Sequence, residues 1–438
     1  MEKNKIWRFV FAAFMIGMLG TGGFSCSLLT GPKNSSNGDL TLEDVACVKS
    51  WLKVDFGTAG GDYEIKRDGN VVLTGSYAGD TVVVDTTVEP SRSYTYEAEL
   101  ISDGKVLRRS SPVEVTTLDT TSSDYTFRTW EFGGIVPGSY LNDVTIVNDT
   151  DIWAAGEINM KDSSSSFNAV HWDGHKWVLH TIYFSTVCGQ PELTAYPARA
   201  ITVTGETGFT IAGAGQLVKV NGSSQGIPMC DESPIPFGIN TLWSDSYGKL
   251  YLGGNGGQIQ TYNGTTWRSL SSGTSTSIDD IWGKIDAETG KQVILAAVSN
   301  GILVQGGERG IIEIHKDGTV TKIPWSPNRD VLSVWFSSLQ NIYTAGDGIY
   351  NGNGTSWRLA LPLAGQDYTA RVRGNGANDI LVVGDYGYCV HFNGVSWQTY
   401  PQISLPNGGY SGLSVKGNTM CAVGYSNNYA VIALGTRD

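Results

Sequence analysis

Seven times after residue 150 a short apolar run ends on two small residues, most often Ala-Gly or Val-Gly. The copies are Asp151 to Gly156, Phe209 to Gly213, Leu250 to Gly254, Val293 to Ala297, Ile342 to Gly346, Ile380 to Gly384 and Met420 to Gly424. Their last residues are spaced by 57, 41, 43, 49, 38 and 40. A period near 40 residues marks one supersecondary unit repeated around or along an array, because a single unit cannot bury its own apolar face.

A second unit follows six of the seven copies: a strand, an Asn-Gly or Asp-Gly pair, and often a Trp. It stands at Asp173-Gly174 with Trp177, Asn221-Gly222, Asn263-Gly264 with Trp267, Asp317-Gly318, Asn353-Gly354 with Trp357, and Asn393-Gly394 with Trp397. Such pairs favour the positive backbone angles of a two-residue hairpin, and the Trp is expected to wedge outer strands together. The seventh copy lacks this unit. The run Tyr125 to Phe132, around Trp130, looks like the missing piece placed upstream. The fold class expected is all-β: a seven-bladed β-propeller over residues 125–438, closed by an N-terminal outer strand. These segments resemble bacterial repeat propellers of the photosystem II assembly-factor and sialidase-like (BNR) kind. No Ser-x-Asp-x-Gly-x-Thr-Trp box is present, so the sialidase catalytic set is not carried over.

Residues 40–120 read as a separate sandwich. Leu52-Val54-Phe56, Tyr63-Ile65, Val71-Leu73, Val82-Val84 and Tyr94 to Leu100 alternate with period two and are broken by Gly and Asp turns. With Val88 to Tyr94 and the closing Val113 to Leu118, the segment resembles a fibronectin type III domain. That resemblance implies that the Tyr94 hydroxyl ties back to the backbone and that the domain acts as a spacer.

The first residues set an expected compartment. Lys3, Lys5 and Arg8 precede an apolar run from Phe9 to Leu19, and small residues then lead to Cys26. This is the order of a secretory signal over residues 1–25, and the run is short for a permanent span. Cys26, after Phe24-Ser25 and before a Ser/Gly/Asn-rich stretch, resembles the lipid-attachment site of a bacterial lipoprotein, with residues 26–39 as tether. The location implied is the cell envelope, at the outer membrane or surface, with plain secretion as the alternative. Of the remaining Cys47, Cys188, Cys230, Cys389 and Cys421, the pair expected to bridge is Cys188 with Cys230. A net charge of −12 argues against nucleic acid as partner.

Chemistry is sparse. No nucleophile elbow, P-loop, HExxH or EF-hand loop appears, and no spacing of Cys and His suggests a metal. No cofactor and no catalytic residue is assigned. His171, His315 and His391 each stand two residues before a repeat turn, which marks them as scaffold. Loop length is more informative. The connections between second and third strands, and those between blades, open on one face, and that face holds the longer loops. Its candidate ligand-binding residues are Tyr183, Glu192, Tyr196, Glu308, Arg309, Asp385, Tyr386 and Tyr425, with Phe184 and Tyr388 beside them. Aromatic platforms mixed with polar groups suit a sugar or a peptide. The expectation is a surface protein that binds a glycan, peptide or envelope protein without catalysis and touches the membrane only through its lipid. The alternatives are a polysaccharide hydrolase or lyase, using a carboxylate pair from Glu192, Glu308 or Asp385, and an assembly factor for an envelope complex.

Overall fold

The computed structural model describes residues 39–185, 192–205, 208–221, 227–229, 237–285, 290–300, 307–362 and 368–437. The expected signal, lipidation site at Cys26 and Cys188–Cys230 bridge lie outside these residues.

Among the described residues seven sheets of four antiparallel strands follow one another, numbered here one to seven. Their first strands are Tyr140–Asn148, Ala200–Thr204, Ile239–Ser244, Ile278–Ile285, Val331–Ser338, Thr369–Gly376 and Gly408–Lys416. Each first strand packs against the next, and the last packs against the first, so the contacts return to their start. The repeated small-residue run is the second strand of every sheet. In sheet seven the order is Gly408–Lys416, Thr419–Ser426, Tyr429–Thr436 and then Thr126–Gly133, so the outermost strand comes from the N-terminal side of the chain.

The glycine that ends the second strand has a steric cause. Five of the first strands carry a β-bulge opposite it, which pushes a carbonyl inward. A Cβ on Gly156, Gly346 or Gly384 would lie 2.1, 2.1 or 2.2 Å from the carbonyl oxygen of Tyr140, Asp330 or Tyr368, respectively. Gly254 and Gly424 meet Gly238 and Gly409 in the same way. In sheet four Val298 takes the place, paired with Ile278.

The Asn-Gly and Asp-Gly turns differ from the two-residue hairpin expected. Trp172 pairs with Trp177, leaving a four-residue loop in which only Gly174 has positive φ, at 93°. The Asp173 carboxylate accepts the His175 and Lys176 N–H groups, both at 2.9 Å. Asn263, Asn353 and Asn393 repeat the arrangement. The side chain thus supplies the acceptor that a tighter turn would find on the backbone. Trp177 packs on Trp172 and on Trp130, with ring centroids 5.4 and 5.9 Å apart, joining sheet one to the outer strand of sheet seven.

Residues 40–116 form two further sheets. One has the order Leu40–Val45, Ser50–Val54, Thr81–Asp85; the other runs Asn70–Tyr77, Gly61–Arg67, Ser93–Ser102, Lys105–Arg109, with Val113–Thr116 also on Ser93–Ser102. Leu52, Val54, Phe56, Ile65, Tyr96 and Leu100 bury between them. The Tyr94 hydroxyl accepts the Glu89 N–H at 2.9 Å.

This unit sits against the face where the first strands end. Asp44 accepts the hydroxyls of Ser337 and Ser338 at 3.1 and 2.5 Å, and Ala46 and Trp51 pack on Ala377. The connecting residues are tied down as well. His391, fully buried, takes the Ser123 hydroxyl at Nδ1 (2.9 Å) and Asp379 at Nε2 (2.8 Å). Arg437 binds the other Asp379 oxygen at 2.5 Å and the Ser122 carbonyl at 2.8 Å, beneath the Tyr125 ring.

Candidate functional site

The first strands begin on the opposite face, and there six of them share one irregularity. The ladder skips Asn142, Asn240, Asp279, Leu332, Ala370 and Ser411 in sheets one, three, four, five, six and seven. A bulged residue is freed from pairing and re-aimed. These six, with Arg199 at the corresponding place before sheet two, border one cavity of about 290 Å³. Six sheets and the residue leading into sheet two therefore contribute to it. Arg371, Asp385, Tyr410 and Tyr425 complete the wall.

The residue after the bulge binds sheet to sheet. Asp143 accepts the Ile201 N–H at 3.1 Å, Asp280 accepts the Val334 N–H at 3.2 Å, and the Ser333 hydroxyl accepts the Val372 N–H at 3.1 Å. Adjacent first strands share no ladder, so these side chains satisfy inner-edge donors that would otherwise be buried unpaired.

The charges beneath the cavity are arranged unevenly. Asp280 is completely buried and holds Arg373 through two bonds of 2.8 Å and Arg371 through one of 2.9 Å. Burial opposes its ionisation, but the two guanidiniums outweigh that and hold it below the ordinary carboxylate range. Its neighbour Asp279 has no such bond. Burial pushes it up to about 7, against the pull of Arg371 and Arg199. Its Oδ2 is buried without a hydrogen-bond partner, as is the Nε of Arg371. Burial likewise raises Asp143, with the Arg371 charge and bonds from backbone N–H groups opposing the shift only in part.

Of the eight residues chosen from sequence, Asp385 and Tyr425 border this cavity. Tyr386, with Asp385, Tyr388, Tyr400 and Pro401, lines a neighbouring hollow of about 220 Å³. Tyr386 and Tyr425 are 57% and 44% exposed. Arg309 is engaged by Asp330 at 2.7 Å, and Glu308 by Lys322. Tyr196 packs on the buried Phe184, and its carbonyl holds the Asn168 amide at 2.8 Å. Tyr183 and Glu192 are exposed and border neither cavity.

Sequence reasoning did not reach Asn142, Arg199, Asn240, Asp279 or Arg371. A positional signal exists: Asn142, Arg199, Asn240, Leu332 and Ala370 each stand 14 residues before Gly156, Gly213, Gly254, Gly346 and Gly384. Among the described residues no group of three or more His, Cys, Asp or Glu side chains is placed to hold a metal ion, and no helix is long and apolar enough to cross a membrane.

No family model matches the chain, and no curated protein matches it. Solved structures do. YCF48 bound to a D1 peptide aligns with a TM-score of 0.53 at 13% identity, over 73% of this chain and 98% of its own. The WD40 β-propeller domain of Doa1 aligns with a TM-score of 0.53 at 13% identity, over 72% of this chain and 98% of its own. At such identities the likeness speaks for the fold alone, and the fold that the ring of sheets shares with these structures is the all-β propeller.

Proposed function

We propose that this chain is an exported, lipid-anchored binding protein whose seven-bladed propeller holds a segment of a partner protein at the mouth of its channel, without catalysis. The observation that carries the reading is the cavity itself, bordered by residues from six sheets and by Arg199 just before the remaining one. Exposed Tyr386 and Val136, between strands, and Tyr425 and Tyr429, at strand ends, lie on the same face. Apolar and aromatic groups around a polar depression are what a protein interface offers. YCF48, of similar fold, has a peptide bound.

The N-terminal unit supports a fibronectin type III-like spacer over residues 40–120. Its two sheet orders and the Tyr94 hydroxyl bond both suit that family. Since it abuts the face opposite the cavity, an anchor at Cys26 on the envelope would leave the mouth pointing away from the membrane.

A photo-crosslinking residue at Tyr425 or Tyr386 should capture one envelope protein in cells, whereas one at exposed Tyr247, on the other face, should not. Equal capture from both faces, or binding to a glycan array instead, overturns the reading. Asp279 and Asp385 border one cavity, and the polysaccharide-cleaving alternative would need two such carboxyl groups about 5–10 Å apart. Release of reducing ends that disappears in Asp279→Asn would replace binding by catalysis. Cys26→Ala should move the protein from the membrane to the soluble fraction.

A further inference from the structure

Tyr386 has a φ of 56°, in the left-handed region, and among the described residues it is the only aromatic one to do so; the other non-glycine cases are Asp, Ser, Ala and Asn. A bulky side chain is strained there, and such strain persists only where the surroundings over-determine it. They do so here. The Tyr386 N–H donates to the Gly408 carbonyl and its own carbonyl accepts the Leu405 N–H, both at 2.8 Å. A Cβ on Gly387 would come within 2.3 Å of the Leu405 nitrogen. Packing does not explain the arrangement, because the side chain held this way is 57% exposed. Among the described residues its ring meets no other aromatic ring and its hydroxyl has no hydrogen-bond partner.

Tyr386 borders the hollow of about 220 Å³ beside the mouth. Four of the residues there, Tyr386, Thr399, Pro401 and Ser404, are exposed, so the hollow is open to solvent, while Cys389 and Tyr400 are buried. It is smaller than the roughly 300–1,000 Å³ of clefts that take a whole small molecule, a size for one or two side chains. Asp385 borders both the hollow and the mouth and bridges to Gly409 of sheet seven, so the two are continuous.

We propose that this hollow takes a proline of the partner segment, with Tyr386 held out to meet it. The inference rests on the binding reading above. Tyr386, Tyr388, Tyr400 and Pro401 supply ring surface, and the one charged side chain, Asp385, stands at the junction with the mouth. Aromatic-lined grooves suit proline-rich segments because their extended backbone is preformed and the proline ring loses no side-chain freedom on docking. Proline also lacks an N–H, so such a segment brings carbonyl acceptors without matching donors. Tyr386, Thr399 and Ser404 carry exposed hydroxyls that can donate to them. From the hollow the segment continues past Asp385 to the mouth and Tyr425.

The test is ligand-observed NMR titration of the full chain with capped peptides Gly-Gly-X-X-X-Gly-Gly, in which X is proline, alanine or leucine. The proline peptide should bind about tenfold more tightly than either of the others, the order of one good aromatic contact. Tyr386→Gly should erase the preference while leaving the melting temperature unchanged or raised, since glycine relieves the positive φ. Tyr386→Phe keeps the ring and should keep most of the preference. No binding of the proline peptide at millimolar concentration, equal or tighter binding of the leucine peptide, or a preference that survives Tyr386→Gly overturns the inference. So does a clear fall in the melting temperature of Tyr386→Gly, which would make the ring a packing piece. If any of these occurs while a crosslinker at Tyr425 still captures a partner, the binding reading stands and the proline subsite alone is refuted.

Discussion

Arg373 sets its two terminal nitrogens on the two oxygens of Asp280, each at 2.8 Å, although the residues belong to sheets six and four. The pair passes beneath sheet five, whose Ser333 hydroxyl donates to the same carboxylate at 2.5 Å. Three sheets are thereby fastened below the mouth by one fully buried acid.

Asp280→Asn should therefore destabilise the protein by about 3–5 kcal/mol, because two guanidiniums would remain buried without their counter-charge. The pH dependence has a definite sign. A carboxyl held below its unfolded value of about 3.9 stabilises fully above that value and loses the contribution as pH falls through its folded value. Urea unfolding from pH 7 to 3 should show the gap between wild type and variant closing only below about pH 4. A gap that is constant with pH would remove the charge from the explanation.

Gly384→Ala should cost about 1–3 kcal/mol, as overpacking does elsewhere. The new Cβ would lie 2.2 Å from the Tyr368 carbonyl oxygen and 2.7 Å from the Thr369 Cα. The bulge would have to open, so the loss should appear in thermal unfolding and also in the cavity wall that Ala370 and Arg371 build. An unchanged melting temperature would mean that the strand shifts freely, as the chain accommodates Val298 in sheet four.

The same bulge explains what was readable in the sequence. Gly156, Gly346 and Gly384 are dictated by close carbonyl approach, so the small-residue signal repeats at a fixed place. The bulged residues themselves face a cavity and answer to no common packing demand. Their places are taken by Asn142, Asn240, Asp279, Leu332, Ala370 and Ser411, and no residue type recurs strongly enough to be noticed. Of the residues chosen by loop length, Asp385 and Tyr425 border the cavity. Glu308 and Arg309 are engaged instead by Lys322 and Asp330, which loop length could not reveal because these partners lie in other segments.

Tyr425→Ser and Tyr386→Ser should leave stability within about 0.5 kcal/mol, as is usual for exposed positions. Each should nonetheless weaken capture of the partner by a crosslinker placed at Val136 on the same face. Loss of capture accompanied by a large fall in melting temperature would instead assign the tyrosines to the scaffold.

Arg437→Ala should destabilise by about 3 kcal/mol, the lower end for breaking a buried ion pair, because Asp379 keeps two other partners. Those partners are the His391 ring and the Asn375 amide, at 2.8 and 2.6 Å. The effect should also be local. Arg437 is the group that joins Asp379 to the Ser122 carbonyl and covers Tyr125, and the next residues enter the outer strand of sheet seven at Thr126. Without it, the stretch from Thr121 to Gly133 opens more often than the rest of the ring, which limited proteolysis would detect as new cleavage there before global unfolding. Arg437→Lys retains the charge but cannot reach both acceptors as a fork, and should fall between the two. Cleavage spread evenly over all seven sheets in Arg437→Ala would show that the residue contributes general stability and does not hold the closing strand.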